Sequence, residues 1–155
     1  MATTARGYTY PASSDHVRMW EHIETLAEDV DDDVGTLVAP AVTTTTATLG
    51  TVATGFTVVD VRGATLLGGK LIHVDLYITR SGASITATTG NIPDTTMFTL
   101  NSAYIPTHEV SCVWSNGTQS GEAVINTSGQ VNLRTASATV TSGDNIRLTA
   151  VYIKS

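Results

Sequence analysis

The stretch KLIHVDLYITR, residues 70–80, alternates apolar and polar side chains more regularly than any other part of the chain. Every second residue from Ile72 to Ile78 is apolar, and polar or bulky residues lie between them. A period of two is typical of a β-strand that buries one face. A Gly-Gly pair precedes the stretch and a Ser-Gly pair follows it, as expected for turns. The sequence therefore predicts a strand here and a sheet around it.

Shorter stretches that are also bounded by turn residues lie on both sides of residues 70–80. Further strands are predicted at TTTTATL (43–49), TGFTVVDV (54–61), ASITATT (83–89), MFTL (97–100), EVSCVWS (109–115), EAVINT (122–127), QVNLRTAS (130–137) and NIRLTAVYI (145–153). SNGT (115–118), TSGQ (127–130) and TSGD (141–144) are typical turn sequences. The chain also contains 28 Thr and 13 Gly, residues that favour strands and turns. This pattern predicts an antiparallel β-sandwich or jelly roll.

The charges divide the chain into two parts. Residues 1–35 hold 8 of the 14 acidic residues and only two basic ones, whereas residues 36–155 hold six of each. A shift of this kind marks a boundary, so we expect an N-terminal segment over 1–38 and a β domain over 39–155. The net charge of −6 argues against a nucleic-acid-binding protein, which would carry a basic patch.

The acidic N-terminal part is predicted to hold one short helix. Tyr8, Tyr10 and Pro11 are expected to be extended, because the residue before a proline avoids helix. Ser14 or Asp15 can cap a helix that we expect to stop at Gly35. One apolar stripe follows this helix, consisting of Met19, Trp20, Ile23, Leu26, Ala27, Val30 and Val34.

Two interpretations of the apolar stripe are open. The helix can pack on its own domain, or it can associate with copies of itself. About 20 residues is too short for a stable lone helix in water, so the stripe needs a cover. We favour a three-stranded bundle, because the stripe is wider than a dimer requires and the β domain offers no matching helix.

The sequence contains no motif that indicates catalysis or a cofactor. His73 and Asp75 share one strand face and could act as a base and its partner, but a polar, solvent-facing surface is the simpler interpretation. Cys112 is expected to be a small buried residue. No His or Cys spacing typical of a metal site occurs, and no apolar run is long enough to span a bilayer. We therefore expect no catalytic residue, metal or cofactor.

Two stretches resemble phage proteins. Residues 7–34, GYTYPASSDHVRMWEHIETLAEDVDDDV, resemble the N-terminal segment of minor tail proteins and tail fibres from tailed phages of actinobacteria. The shared features are an aromatic-Pro segment, a D-H-x-x-x-W helix and an L-A-x-D-V end. The Tyr-Ile-Pro segment at 104–106 and GEAVINTSGQVNLRTASATVTSGDNIRLTAVYI at 121–153 resemble the β-rich head domains of phage tail fibres and receptor-binding proteins.

The resemblance implies a homotrimer on the surface of the phage particle. Its N-terminal segment would bind other virion proteins, its helix would form a triple bundle, and its β heads would attach to the host cell surface. This chain departs from the pattern in having almost no shaft. A head fibre or capsid decoration protein with no receptor role is therefore the alternative, and a glycan-degrading tail protein is the third hypothesis.

Contact residues follow from this interpretation. Trp114 lies beside Ser115 and Asn116 at a strand end and could contact a cell-wall glycan, unless it belongs to the core or to a subunit interface. Tyr8, Tyr10 and Pro11 are expected to contact the virion, unless the tyrosines pack on the protein's own helices. Neither nucleic acid nor a membrane is expected as a partner.

Overall fold

The computed structural model describes residues 2–3, 9–10, 19–38, 41–43 and 46–154. The chain forms two compact units, Met1–Ala39 and Pro40–Ser155. Within the described residues, no helix is both long and apolar enough to cross a bilayer.

The first unit contains two short strands and one long helix. Strands β1 (Ala2–Thr3) and β2 (Thr9–Tyr10) pair antiparallel, and helix α1 spans Met19–Val38. The predicted end at Gly35 is wrong, because α1 continues for three more residues. A glycine inside a helix costs only about 1 kcal/mol, which is not enough to stop a helix that is otherwise favourable. The expected caps, Ser14 and Asp15, lie outside the described residues.

The second unit is built on one nine-stranded sheet. Its elements in chain order are β3 (Ala41–Thr43), α2 (Thr46–Leu49), β4 (Gly50–Val52), β5 (Phe56–Leu66), β6 (Leu71–Arg80), β7 (Asn91–Leu100), a 3-10 turn (Ser102–Tyr104), β8 (Val110–Ser115), β9 (Ser120–Ile125), β10 (Gln130–Thr135) and β11 (Asn145–Ile153). The strand order is β3-β5-β6-β11-β8-β9-β10-β7-β4, and every pair is antiparallel. The expectation of a mainly β, antiparallel body is confirmed.

The longest uninterrupted ladder joins the predicted strand β6 to the last strand, β11. Nine consecutive residue pairs run from Asn145–Thr79 to Ile153–Leu71 without a register shift. Along both strands, alternate side chains are fully or almost fully buried, and the residues between them face outward. This strict alternation places the hydrophobic core on one side of the sheet.

The sheet folds back so that its two edges come near each other at Leu49. This residue is fully buried and contacts β5, where a Cβ placed on Gly63 would lie 2.6 Å from Leu49 Cδ1 and 2.8 Å from the Tyr104 ring. The buried Tyr152 hydroxyl donates to the carbonyl oxygen of Tyr104, which ties β11 to the same corner. The result is a nearly closed antiparallel sheet around one core.

Two of the predicted strands are wrong. Residues 43–49 were expected to be a strand because they are rich in threonine, yet Thr46–Leu49 forms a helical turn that directs Leu49 into the core. Residues 83–89 form a loop whose strand-like pairing is limited to single bridges at Ile85 and Thr88. In both places the burial of a leucine or an isoleucine outweighs the strand preference of the threonines.

The predicted turns are present. Gly117, Gly129 and Gly143 all adopt positive φ angles, between 81° and 95°. In the turn before β10, the Asn126 side-chain oxygen accepts hydrogen bonds from the backbone N–H groups of Ser128 and Gln130 at 3.0 and 2.9 Å. Asn126 therefore fixes the connection between β9 and β10, as the sequence indicates.

Gly121 allows β9 and β10 to lie close together beneath the largest core residue. A Cβ at this position would overlap the carbonyl group of Thr135 and approach Trp114 Nε1 to 2.7 Å. We predict that Gly121→Ala lowers the free energy of unfolding by about 3 kcal/mol, because backbone atoms cannot move aside easily. Gly68→Ala, where a Cβ meets open space at a φ of 64°, should cost only about 1 kcal/mol. Equal losses in urea unfolding would contradict this account.

Candidate functional site: the distal loops

Four loops gather at one end of the sheet. Because all strands are antiparallel, residues 53–55, 81–90, 116–119 and 136–144 all connect strands at the same end. The chain enters the sheet at the opposite end, where Ala41 of β3 pairs with Thr65 near the end of β5. We call these four loops the distal loops, and we call the opposite end, with residues 67–70, 101–109 and 126–129, the entry end.

Backbone hydrogen bonds join the first two distal loops. The carbonyl oxygen of Gly55 accepts from the N–H groups of both Ser81 and Gly82, at 3.0 and 2.9 Å. The loop 53–55 is therefore held against the start of the loop 81–90.

The same kind of bonding continues across the end of the sheet. Ile85 and Val140 exchange two backbone hydrogen bonds at 2.8 and 3.0 Å, which joins loops 81–90 and 136–144. The Ser137 N–H donates to the Ser120 carbonyl at 2.9 Å, which joins loop 136–144 to the strand that follows the loop 116–119. The four loops thus form one connected surface, preorganised in the way that favours binding.

The Arg80 side chain bridges two of the four distal loops. Its guanidinium group lies 4.6 Å from the centroid of the Phe56 ring and donates to the carbonyl oxygens of Gly55 (3.1 Å) and Ala83 (2.8 and 2.6 Å). Its backbone N–H donates to the Asp144 carbonyl at 2.8 Å. A planar guanidinium can make several directed bonds at once, so the side chain joins loops 53–55 and 81–90, while the backbone N–H bonds to loop 136–144. Sequence reasoning missed Arg80, whose only signal was its place at the end of the clearest strand.

The distal loops are polar and carry a single charged residue of their own, beside the partly exposed guanidinium group of Arg80. Asp144 is the one charged residue in the sequence of the four loops, and its carboxylate accepts from the Thr141 N–H at 2.7 Å. The exposed residues are mainly small hydroxyl, alanine and glycine side chains: Thr54, Ser81, Ala83, Ser84, Thr86, Thr88, Thr89, Gly90, Gly117, Thr118, Ser137, Ala138, Thr141, Ser142 and Gly143. Such a surface suits an uncharged ligand rich in hydrogen-bonding groups and offers no basic cluster to a polyanion.

Trp114 is not available as a surface contact. Its side chain is completely buried, and the indole N–H donates to the Thr135 carbonyl at 3.0 Å. The expectation that Trp114 contacts a receptor is therefore corrected in favour of the core alternative. A buried indole needs a partner for its N–H, and the backbone of β10 supplies it.

The groups tested for chemistry do not form a reactive site. Asp75 accepts a hydrogen bond from the Thr149 hydroxyl at 2.8 Å, on the outer face that it shares with the half-buried His73. Burial, followed by the nearby charge of Glu122, raises the pKa of the Cys112 thiol to about 11, so the thiol stays protonated at neutral pH. Among the described residues, no three His, Cys, Asp or Glu side chains lie together in a way that could hold a metal ion.

The apolar stripe of α1 is exposed in the single chain. Ile23 is 60% exposed, and Leu26, Ala27, Val30 and Val34 also face solvent. Tyr8 and Pro11 lie outside the described residues, as do the side chains of Tyr10, Met19 and Trp20. The stripe therefore stays a predicted contact surface.

Comparison with known proteins places the fold beside a solved structure. No protein-family model and no curated protein matches the sequence. Among solved structures, the chain is similar to the crystal structure of the receptor binding protein (gp15) of Listeria phage PSA. The TM-score is 0.55 at 12% identity, over 92% of this chain and 82% of that chain. The protein thus shares its overall fold with this structure.

Arg80 provides a test of the distal loops as a unit. We predict that Arg80→Lys accelerates amide hydrogen exchange at Ser81 and Gly82 and lowers the free energy of unfolding by about 1 kcal/mol, since lysine cannot bridge Gly55 and Ala83. Arg147→Lys is the matched control, because Arg147 also lies over an aromatic ring, Tyr77, at 4.7 Å, and its side chain donates to the Tyr77 hydroxyl rather than to loop carbonyl oxygens. Unchanged exchange in Arg80→Lys would show that the backbone bonds alone hold the loops.

Proposed function

We propose that this protein is a structural protein of a tailed phage particle, a short homotrimeric tail fibre or minor tail protein with a jelly-roll-type head that attaches to the host cell surface. The observation that carries the proposal is the fold shared with a phage receptor binding protein over 92% of the chain. The role is non-enzymatic: the head presents a surface and performs no reaction.

The position of the distal loops supports attachment. They lie at the end of the sheet opposite to the point where the chain enters it, so the link to the first unit does not cross them. Their uncharged, hydroxyl-rich surface suits a neutral cell-wall glycan. Single contacts of this kind are weak, and three identical heads would add avidity through an effective concentration of about millimolar.

Host attachment predicts specific binding to cells. The labelled full chain should bind saturably to some strains of a bacterial panel that includes actinobacteria. Ser84→Arg with Thr118→Arg should weaken this binding by about tenfold or more, because bulky side chains then cover the distal loops. Ser102→Arg with Ser128→Arg adds the same charge at the entry end and should leave binding unchanged. No binding to any strain would favour a head fibre or capsid decoration protein without a receptor role.

Self-association through α1 predicts a change of mass. Ile23→Asp with Leu26→Asp should convert a trimer to monomers in sedimentation velocity, because carboxylates would have to be buried in the apolar seam. The control, Glu24→Gln with Glu28→Gln, changes exposed polar positions of the same helix and should keep the trimer. A trimer that survives both aspartates would show that the stripe serves another contact.

A further inference from the structure

The exposed apolar residues of the second unit are not spread evenly over its sheet. Its large apolar side chains that are exposed, among the described residues, are Val42, Val59, Leu67, Val113, Val151 and Ile153. All of them lie on β3, β5, the turn after β5, β8 and β11, which belong to one half of the strand order. The other half, formed by β9, β10, β7 and β4, has no exposed large apolar side chain among its described residues. Such a concentration of exposed apolar groups indicates an interaction surface.

The register brings the apolar residues nearest the entry end into two neighbouring rows. The first row crosses β3, β5, β6 and β11 and consists of Val42, Ala64, His73 and Val151. The next row consists of Leu66, Leu71 and Ile153. We call the six apolar members of these rows the outer apolar patch. Val42, Val151 and Ile153 are 61%, 60% and 73% exposed, so the described residues of the second unit leave them largely uncovered.

We propose that the outer apolar patch is the contact between the β bodies of neighbouring copies of this chain. The inference deepens the proposed self-association and rests on it for the identity of the partner. It is supported by the position of the patch along the chain. Val42 follows the end of α1 by four residues, and the three residue steps from Val38 to Ala41 span at most about 11 Å. Copies joined through the exposed stripe of α1 would therefore hold their entry ends, and with them the patches, close together.

The charges beside the patch are compatible with contact between identical faces. The next two rows on the same outer face carry Asp60, Arg62, Asp75 and Arg147, two acids and two bases. Arg62 and Asp60 already pair at 3.2 Å. A face with balanced charge does not repel its own copy, whereas a basic or acidic partner would meet no complementary excess. A second copy of the chain is therefore the occupant that this face fits.

The test is sedimentation of the full chain over a range of concentrations. Val151→Lys with Ile153→Lys should raise the dissociation concentration of the oligomer by about tenfold or more, because two apolar contacts are lost and charge is introduced. Val151→Thr with Ile153→Thr removes apolar area without charge and should give a smaller shift in the same direction. Both positions face outward, so cooperative unfolding should be retained. Thr51→Lys with Ser120→Lys, exposed on the other half of the sheet, is the control and should sediment as the wild type does.

The outcomes separate the patch from the rest of the proposal. An oligomer that is weakened by the α1 aspartates but not by the lysine pair would overturn the patch and leave the helical trimer standing. A wild-type chain that is monomeric at all concentrations would overturn both. Binding of the labelled chain to cells is measured independently, so host attachment can hold even where the patch fails.

Discussion

The structure depends on the unbroken pairing of β11 with β6. Nine residue pairs without a bulge require that inward and outward positions alternate in step on both strands. Ile72, Val74, Leu76 and Ile78 can then meet the buried residues of β11 across the ladder. A slip of β6 by one residue would turn these four side chains to solvent and bury His73 and Asp75.

The same alternation creates the surfaces on which function rests. Outward positions of the paired strands carry Val151 and Ile153 into the outer apolar patch, while the antiparallel order brings four connections to one end as the distal loops. Arg80 connects this register to the distal loops, because it ends β6 and bonds to Gly55, Ala83 and Asp144. The core, the patch and the loop surface are thus products of one register.

The sequence predicted the features that depend on local pattern. Strand β6, the glycine turns and the mainly β body were correct because alternation and turn residues act over a few positions. The strand predicted at residues 43–49 was wrong, because Leu49 is buried against β5, which is distant in sequence. The threonine content of the segment cannot reveal this contact. Trp114 was misplaced for a similar reason: its polar neighbours suggested exposure, but its indole N–H finds a partner on β10, two strands away. Arg80 and the distal loops could not be predicted before the strand order was known.

Two apolar surfaces, the α1 stripe and the outer apolar patch, are exposed in one chain, and we infer that other copies cover them. The most direct measurement is the mass of the full chain in solution by light scattering. The account predicts three times 16.2 kDa, unchanged on dilution through the micromolar range. A mass of 16.2 kDa at every concentration would contradict it.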